Sequence, residues 1–467
     1  MNRSVIVGLT FIGLVAVILA GCSSFDGKKI RQEHVKMYRQ ALEERAEDLL
    51  PGEEQMDLED CILLALDNNL DIRVAEVQRR IAELDRKVSF SQFLPQVNLN
   101  YNYTAWDPQP EMFTGAGSQP MHDKRISEIS WQIQMSVFNP STWFMYGMHA
   151  RGEEIAEIVA DYTRQMIVLQ VTTYYYYFLG LQEIETVLDS RIRAAEELAE
   201  QLHGYQSEGL VFAWQSNQAR VNLQTQKLQR LRVHQLLEQI KGQLLIAMGL
   251  SPVNSINLDV TPPATEPQGT LEDFFTEALL NHPQLRIADR KIEIEKEKVK
   301  LALANFMPSL MGFASRVNTN DGFQRYSNYW MTGLSGMLTV FNGFANIYEY
   351  DAAKENVKKA ALEREQAILA LLLEVFRAYQ TLELAQDAID IAENSFKVSS
   401  DKYDQVYQQW REGLVDASEM LSVLAEKDQA EMLRINTKYQ RQLSIATLLN
   451  AMGKTKIDFE ESINEDG

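Results

Sequence analysis

From Ser141 to Glu208 the chain runs 68 residues without a proline, in a composition that favours helix. At 1.5 Å per residue that is a rod of about 100 Å. A second such stretch runs from about Ala345 to Glu412. Few soluble domains need helices of this length. Both stretches carry a heptad seam. Ile368, Val375, Leu382, Ile389, Phe396 and Tyr403 recur every seven residues, and Leu371, Ala378, Ala385, Ala392, Ser399 and Val406 follow three further on. Ile167, Tyr174, Leu181, Leu188, Ala195 and Leu202 repeat the pattern in the first stretch. A seam this long predicts supercoiled helices with knobs-into-holes packing, and its small residues permit close approach.

The two rods belong to an internal duplication. "LEDCILLALDNNLDIR" at 58–73 matches "LEDFFTEALLNHPQLR" at 271–286, and "FLPQV" at 93–97 matches "FMPSL" at 306–310. "VFNP" at 137–140 matches "VFNG" at 340–343. "EGLV" recurs at 208–211 and 412–415, and "AMG" at 247–249 and 451–453. The spacing between matched pairs shortens by about ten residues after "FLPQV". The first half therefore carries an insertion, and "DPQPEMFTGAGSQPM" at 107–121 reads as a longer surface loop. Pro and Gly also mark the junction at 261–269. The predicted organisation is a first repeat over 57–260, a linker over 261–269, a second repeat over 270–454 and a tail over 455–467. Each repeat reads as helix, two strands, very long helix and further helix.

The strands alternate with period two. In "EISWQIQMSV" (128–137), Ile129, Trp131, Ile133, Met135 and Val137 face one way, and Glu128, Ser130, Gln132, Gln134 and Ser136 the other. "QVNLNYNYTAW" (96–106) sets Val97, Leu99, Tyr101 and Tyr103 against Asn98, Asn100, Asn102 and Thr104. Runs of about ten residues suit tilted transmembrane strands. The same alternation also suits an ordinary half-buried soluble hairpin. The second pair, about 309–318 and 329–340, alternates less cleanly, with Tyr326, Tyr329 and Trp330 as candidate interface anchors. Four strands cannot close a barrel, and lipid tolerates no open edge. If these strands enter a membrane, several chains must share one barrel.

The N-terminus reads as a processing signal. Arg3 precedes an apolar run from Val5 to Ala20, too short for a confident membrane span, which ends in "LAGC" at Leu19 to Cys22. This resembles a bacterial lipobox. It implies removal of residues 1–21 and a diacylglycerol on the Cys22 thiol, and Ser23 in place of Asp favours the outer membrane. Residues 22–56 are then a lipid-anchored segment with a charged helical stretch from Lys28 to Leu50. With Cys22 modified only Cys61 remains, so no intrachain disulfide is expected. Cys61 lies in an apolar helical pattern and reads as core. The formal charge is -20, and no Lys/Arg run is long enough to bind nucleic acid.

The landmarks "ALDNNLDIR", "FLPQV", "VFN", "EGLV" and "AMG", in this order over residues 57–453, resemble the TolC family of outer-membrane efflux proteins. The resemblance implies a mainly α fold with membrane β: long coiled-coil helices forming an α-barrel, and four strands per chain contributing to a shared 12-stranded β-barrel. It implies a homotrimer in the outer membrane, extending into the periplasm and meeting a periplasmic adaptor protein and an inner-membrane pump.

No catalytic constellation stands up. The six His form no HxxxH or HExxH pair, so no metal site is expected, and no GxSxG or phosphate-cradling Gly loop occurs. Neither enzyme activity nor a cofactor is expected. "TYYYYF" (173–178) puts Tyr174 and Phe178 on the seam and reads as packing. The candidate positions lie at the helix turns. Gly209 and Gly413 let the chain reverse through positive φ. Leu210, Val211, Leu414 and Val415 are apolar residues at those turns, and the resemblance makes them adaptor-contacting tips. A Schellman-type cap with its hydrophobic contact explains them equally. Asp401 and Asp404 match by position the paired aspartates that line the closed aperture in the family, with Glu197 and Glu200 at the corresponding first-half positions. Their i, i+3 spacing puts both on one helix face, which also suits a solvated outer face. The expected function is the outer-membrane channel of a tripartite efflux or type I secretion system, a passive conduit for small-molecule export. The rival is a lipid-anchored coiled-coil scaffold of the envelope without a pore.

Overall fold

A computed structural model describes residues 27–32, 34, 35, 37, 55–115, 117–259 and 266–455. The expected signal, Cys22, the linker core and all of the C-terminal tail but Thr455 lie outside them. Of the stretch from Lys28 to Leu50, positions 28–32, 34, 35 and 37 are helical. Among the described residues no helix is long and apolar enough to cross a membrane.

The first half runs α1 (Leu58–Asn68), α2 (Leu70–Ser91), β1 (Gln96–Ala105), β2 (Glu111–Thr114), β3 (Gly117–Pro120), β4 (Arg125–Phe138), α3 (Pro140–Ser207) and α4 (Ala213–Ala247). The second runs α5 (Leu271–Asn281), α6 (Pro283–Ala304), β5 (Ser309–Thr319), β6 (Asn328–Met337), α7 (Ala345–Arg411) and α8 (Ala417–Ala451). The rods α3 and α7 are 68 and 67 residues long, as the proline-free stretches require.

The duplication extends to the caps. Asp57 and Thr270 each close a capping box on α1 and α5, with Asp60 and Asp273 reaching back. Asn69 and His282 hold nearly the same backbone conformation between the paired short helices. The Asn69 side chain accepts from the Asp71 and Ile72 N–H groups, and His282 Nδ1 accepts from the Gln284 N–H. Each half thus opens with two helices where the sequence pattern suggested one. The extended conformation that lets a side chain cap the second helix ends the first.

The expected loop at 107–121 needs correcting, because it holds the two-stranded hairpin β2–β3. The expected strand to residue 340 stops at Met337. The chain then turns through Gly343 and Phe344, both at positive φ, into α7.

Short helices flank the rods. α2 packs on the strand-proximal part of α3 through Arg86–Glu153 and Arg164–Glu76, and α4 on its far part through Lys227–Glu196 and Arg230–Asp189. Three apolar clusters lie along the length. The largest surrounds Val171, Tyr175 and Leu188 of α3 and takes in Cys61, Leu244 and Met248. A second joins α5, α7 and α8 at Phe274, Leu371, Val375 and Leu448. The third lies at the far end, around Leu202, Trp410, Ala417 and Met420. Tyr175 donates to the Asp259 carbonyl and is wholly buried, Tyr176 and Phe178 are buried beside it and Tyr174 packs against them, so the run is packing except at the exposed Tyr177. Cys61 is core, and burial with Asp60 and Asp57 nearby pushes its thiol up to about 12.

Candidate functional site

Strand order is β1-β4-β5-β6, antiparallel throughout. The central pairing, β4 with β5, joins the two halves into one sheet. Among the described residues β1 pairs only with β4 and β6 only with β5, so two ten-residue edges stand open there.

Burial on this sheet is the reverse of a soluble hairpin. Ile129, Trp131, Ile133, Met135 and Val137 are exposed, while Ser130, Gln132, Gln134 and Ser136 between them are half-buried. Val97, Leu99, Tyr101 and Tyr103 of β1 are exposed on the same face, since Leu99 pairs with Trp131 and Tyr101 with Ile129. A sheet in water buries its apolar face. This one presents it outward, which excludes the soluble-hairpin reading and suits lipid.

Register explains the weaker alternation of the second pair. The β5 residues opposite the β4 apolar set are Gly312, Ala314, Arg316 and Asn318. Opposite those on β6 lie Leu334, Thr332, Trp330 and Asn328. The outward face of β5 is therefore small or polar, and period-two hydrophobicity fades there.

Below the open edges run exposed apolar stripes. On α2, which leads into β1, Leu70, Val74, Val77, Ile81, Leu84 and Val88 recur at helical spacing and are exposed. On α7, which follows β6, Leu362, Leu369, Leu373 and Phe376 do the same.

At the far end the chain reverses twice. Gly209 (φ 77) and Gly413 (φ 75) sit at C′ of α3 and α7. The Leu210 N–H donates to the Tyr205 carbonyl at 2.8 Å, and the Gly209 N–H to the Gln206 carbonyl at 3.1 Å. Leu414 and Gly413 repeat this with Gln409 and Trp410 at 2.8 and 3.0 Å. Both turns are Schellman caps. The cap accounts for the two glycines but not for the leucines. Leu210 is 67% and Leu414 70% exposed, whereas Val211 and Val415 pack on the third cluster. Phe212 and Trp214 are exposed beside them, a contribution the sequence reading missed. The signal lay in how the halves differ: the equivalents of "VFAW" are Val415, Asp416, Ala417 and Ser418.

Asp401 and Asp404 are exposed on α7, two turns before the tip, and among the described residues no ion pair engages either. Lys402 between them turns instead to Glu426 on α8, at 2.6 Å. Glu197 and Glu200 are likewise exposed on α3.

The two helical hairpins are tied by a buried polar cluster. Arg191 on α3 lies 3.1 Å from the Asp428 carboxylate on α8 and 2.8 Å from that of Glu431. Gln226 on α4 donates to Asp428 at 3.1 Å. Burial pushes Asp428 up to about 6, against the pull of Arg191. Among the described residues no group of three or more His, Cys, Asp or Glu is placed to hold a metal ion.

Residues 275–454 match the outer membrane efflux protein family. The fold is similar to that of a membrane protein from Pseudomonas aeruginosa, with a TM-score of 0.76 at 15% identity over 85% of this chain and 90% of that one. It is similar to the outer membrane protein VceC of Vibrio cholerae, with a TM-score of 0.74 at 14% identity over 85% and 96%. It is also similar to the CmeC outer membrane channel of Campylobacter jejuni, with a TM-score of 0.72 at 18% identity over 87% and 88%. None of the curated proteins matches the chain. The second half of the chain thus carries a match to the outer membrane efflux protein family, and the fold over most of its length is similar to that of solved outer membrane channels.

Proposed function

We propose that three copies assemble into a passive export conduit: a shared 12-stranded barrel in the outer membrane, continued by a helical tube through the periplasm. The observation that carries this is the four-stranded sheet with an apolar outward face and both edges unpaired. In hydrocarbon each unsatisfied backbone group costs several kcal/mol, so a ten-residue edge is untenable in lipid. β1 and β6 are equal in length, and β6 of one copy runs antiparallel to β1 of the next if the copies follow head to tail. Such a heterologous contact closes into a ring when the rotation from copy to copy divides a full turn. Two copies give eight strands, whose interior side chains fill, and three give the smallest ring with an open lumen. The α2 and α7 stripes lie under the same edges and would be buried by the same contact.

In this reading Cys22 carries the lipid anchor. The aperture is ringed by Asp401 and Asp404 from each copy, six carboxylates that concentrate cations and repel anions. The tips, with Gly209 and Gly413 as pivots and Leu210, Val211, Leu414 and Val415 at the turns, meet a periplasmic adaptor. The adaptor links the duct to an inner-membrane pump that supplies the energy. The scaffold alternative gives no reason for an apolar sheet face turned outward.

The test is single-channel recording in planar bilayers. Wild-type protein gives a small, cation-selective conductance. Replacing Asp401 and Asp404 together by Asn lowers the cation preference and raises the open time. Unchanged conductance and selectivity would remove these residues from the aperture.

A further inference from the structure

The membrane-facing side of the sheet carries a cation. Arg316 stands on the outward face of β5, in one cross-strand row with Leu99, Trp131 and Trp330. It is exposed, and its guanidinium lies 5.7 Å from the centre of the Trp330 ring. Its Nε–H donates to Asn328 Oδ1 at 3.2 Å. Asn328 belongs to the next outward row toward the loop end, so the side chain leans that way along the barrel. The two terminal amino groups have no partner among the described residues.

Among the described residues no acid is at hand to neutralise it. From Ser309 to Met337 the only carboxylate is Asp321. Asp321 is 2% exposed and already engaged, at 2.8 Å from His122 Nδ1 and accepting from the Asp123 and Phe323 N–H groups at 3.0 and 3.2 Å. The outward residues of β1 and β4 include no carboxylate either. Arg325, in the β5–β6 turn, stacks on Tyr326, 5.6 Å from its ring centre, and Arg125 opens β4 on the same face. A chain of charge -20 thus gathers unpaired arginines on the loop side of its lipid-facing surface.

A lone cation among lipid chains is costly, and a long side chain escapes by reaching the headgroups. Indoles prefer the same depth, because their rings are apolar and their N–H is polar. A guanidinium with its terminal fork free is shaped for a phosphate, and the indole beside it holds the fork in place. The apolar residues nearer the helices, Ile133, Met135 and Leu334, line the path an acyl chain would take.

We propose that Arg316, framed by Trp131 and Trp330, binds the phosphate of an anionic lipid headgroup in the outward leaflet, with Arg325 as a second contact closer to the loops. The proposal rests on the membrane reading above.

The test is native mass spectrometry of the detergent-purified full-length oligomer with phosphatidylglycerol, with phosphatidylcholine of the same chains, and with inorganic phosphate alone. The wild type retains phosphatidylglycerol in preference to phosphatidylcholine. Arg316→Gln lowers that retention at least tenfold, and Arg316→Lys only partly, while the oligomer mass and conductance stay those of the wild type. Equal retention by wild type and Arg316→Gln overturns the site. Displacement of phosphatidylglycerol by millimolar inorganic phosphate overturns its lipid character. A wild type that neither oligomerises nor conducts overturns the membrane reading itself, a separate outcome.

Discussion

At the residue scale the two tips separate conformational need from interaction. An added Cβ at Gly209 or Gly413 meets no neighbouring atom, so the whole effect of Gly→Ala there is the left-handed backbone. We expect about 1 kcal/mol lost at each turn, seen as faster hydrogen exchange confined to residues 203–216 or 407–420. The exposed side chains should behave in the opposite way. Replacing Leu210 and Phe212 by Ser removes apolar surface that touches little of its own chain. The thermal midpoint should hold within a degree or two while adaptor crosslinking and export fall at least tenfold. Export at the wild-type level would mean that the first-half tip is a bare cap. The glycines were legible in the sequence because a reversal between helices requires positive φ. Phe212 and Trp214 were not, because comparing the halves for likeness hides a position where only one half is apolar.

At the scale of elements, the buried Arg191, Gln226, Asp428 and Glu431 cluster couples α3 and α4 to α8, and through α8 to α7. Asp428 titrates near 6 in the fold against an ordinary 3.8. A raised carboxyl favours the fold most when protonated, so its contribution is complete below about pH 4 and is lost as pH rises through 6. Hydrogen exchange at the α3–α8 contact, corrected for intrinsic rates, should show stronger protection at pH 5 than at pH 7.5, and Asp428→Asn should flatten the difference. A wild-type contact with no pH dependence would contradict this. The rods and their seam were readable because apolar spacing persists over many turns, and Leu188, Leu202, Leu371 and Val375 are buried where the heptads put them. The breaks at Asn69 and His282 were signalled by a capping side chain, and at the second by Pro283, but short helices back to back look like one. The β2–β3 hairpin was hidden in Pro- and Gly-rich sequence. β5 was blurred because its outward positions hold Gly312, Ala314 and Arg316, so alternation could not mark its faces.

At the scale of the whole molecule, what one chain leaves unfinished defines the assembly. Its sheet has two free edges, its apolar face points outward, and the stripes on α2 and α7 lie beneath those edges. The pairing of β4 with β5 completes half of the design within one chain by the rule that would join one chain to the next. Strand count alone led to the expectation of several copies, should the strands enter a membrane. It could not reveal which strands meet across the halves, because pairing depends on long-range register rather than local pattern. The most direct measurement is the mass of the detergent-solubilised full-length protein by light scattering with the detergent contribution subtracted. Three chains per particle, stable to dilution, is the predicted result. A particle of one chain that remains folded in detergent would contradict the account, because the open β1 and β6 edges would then need no neighbour.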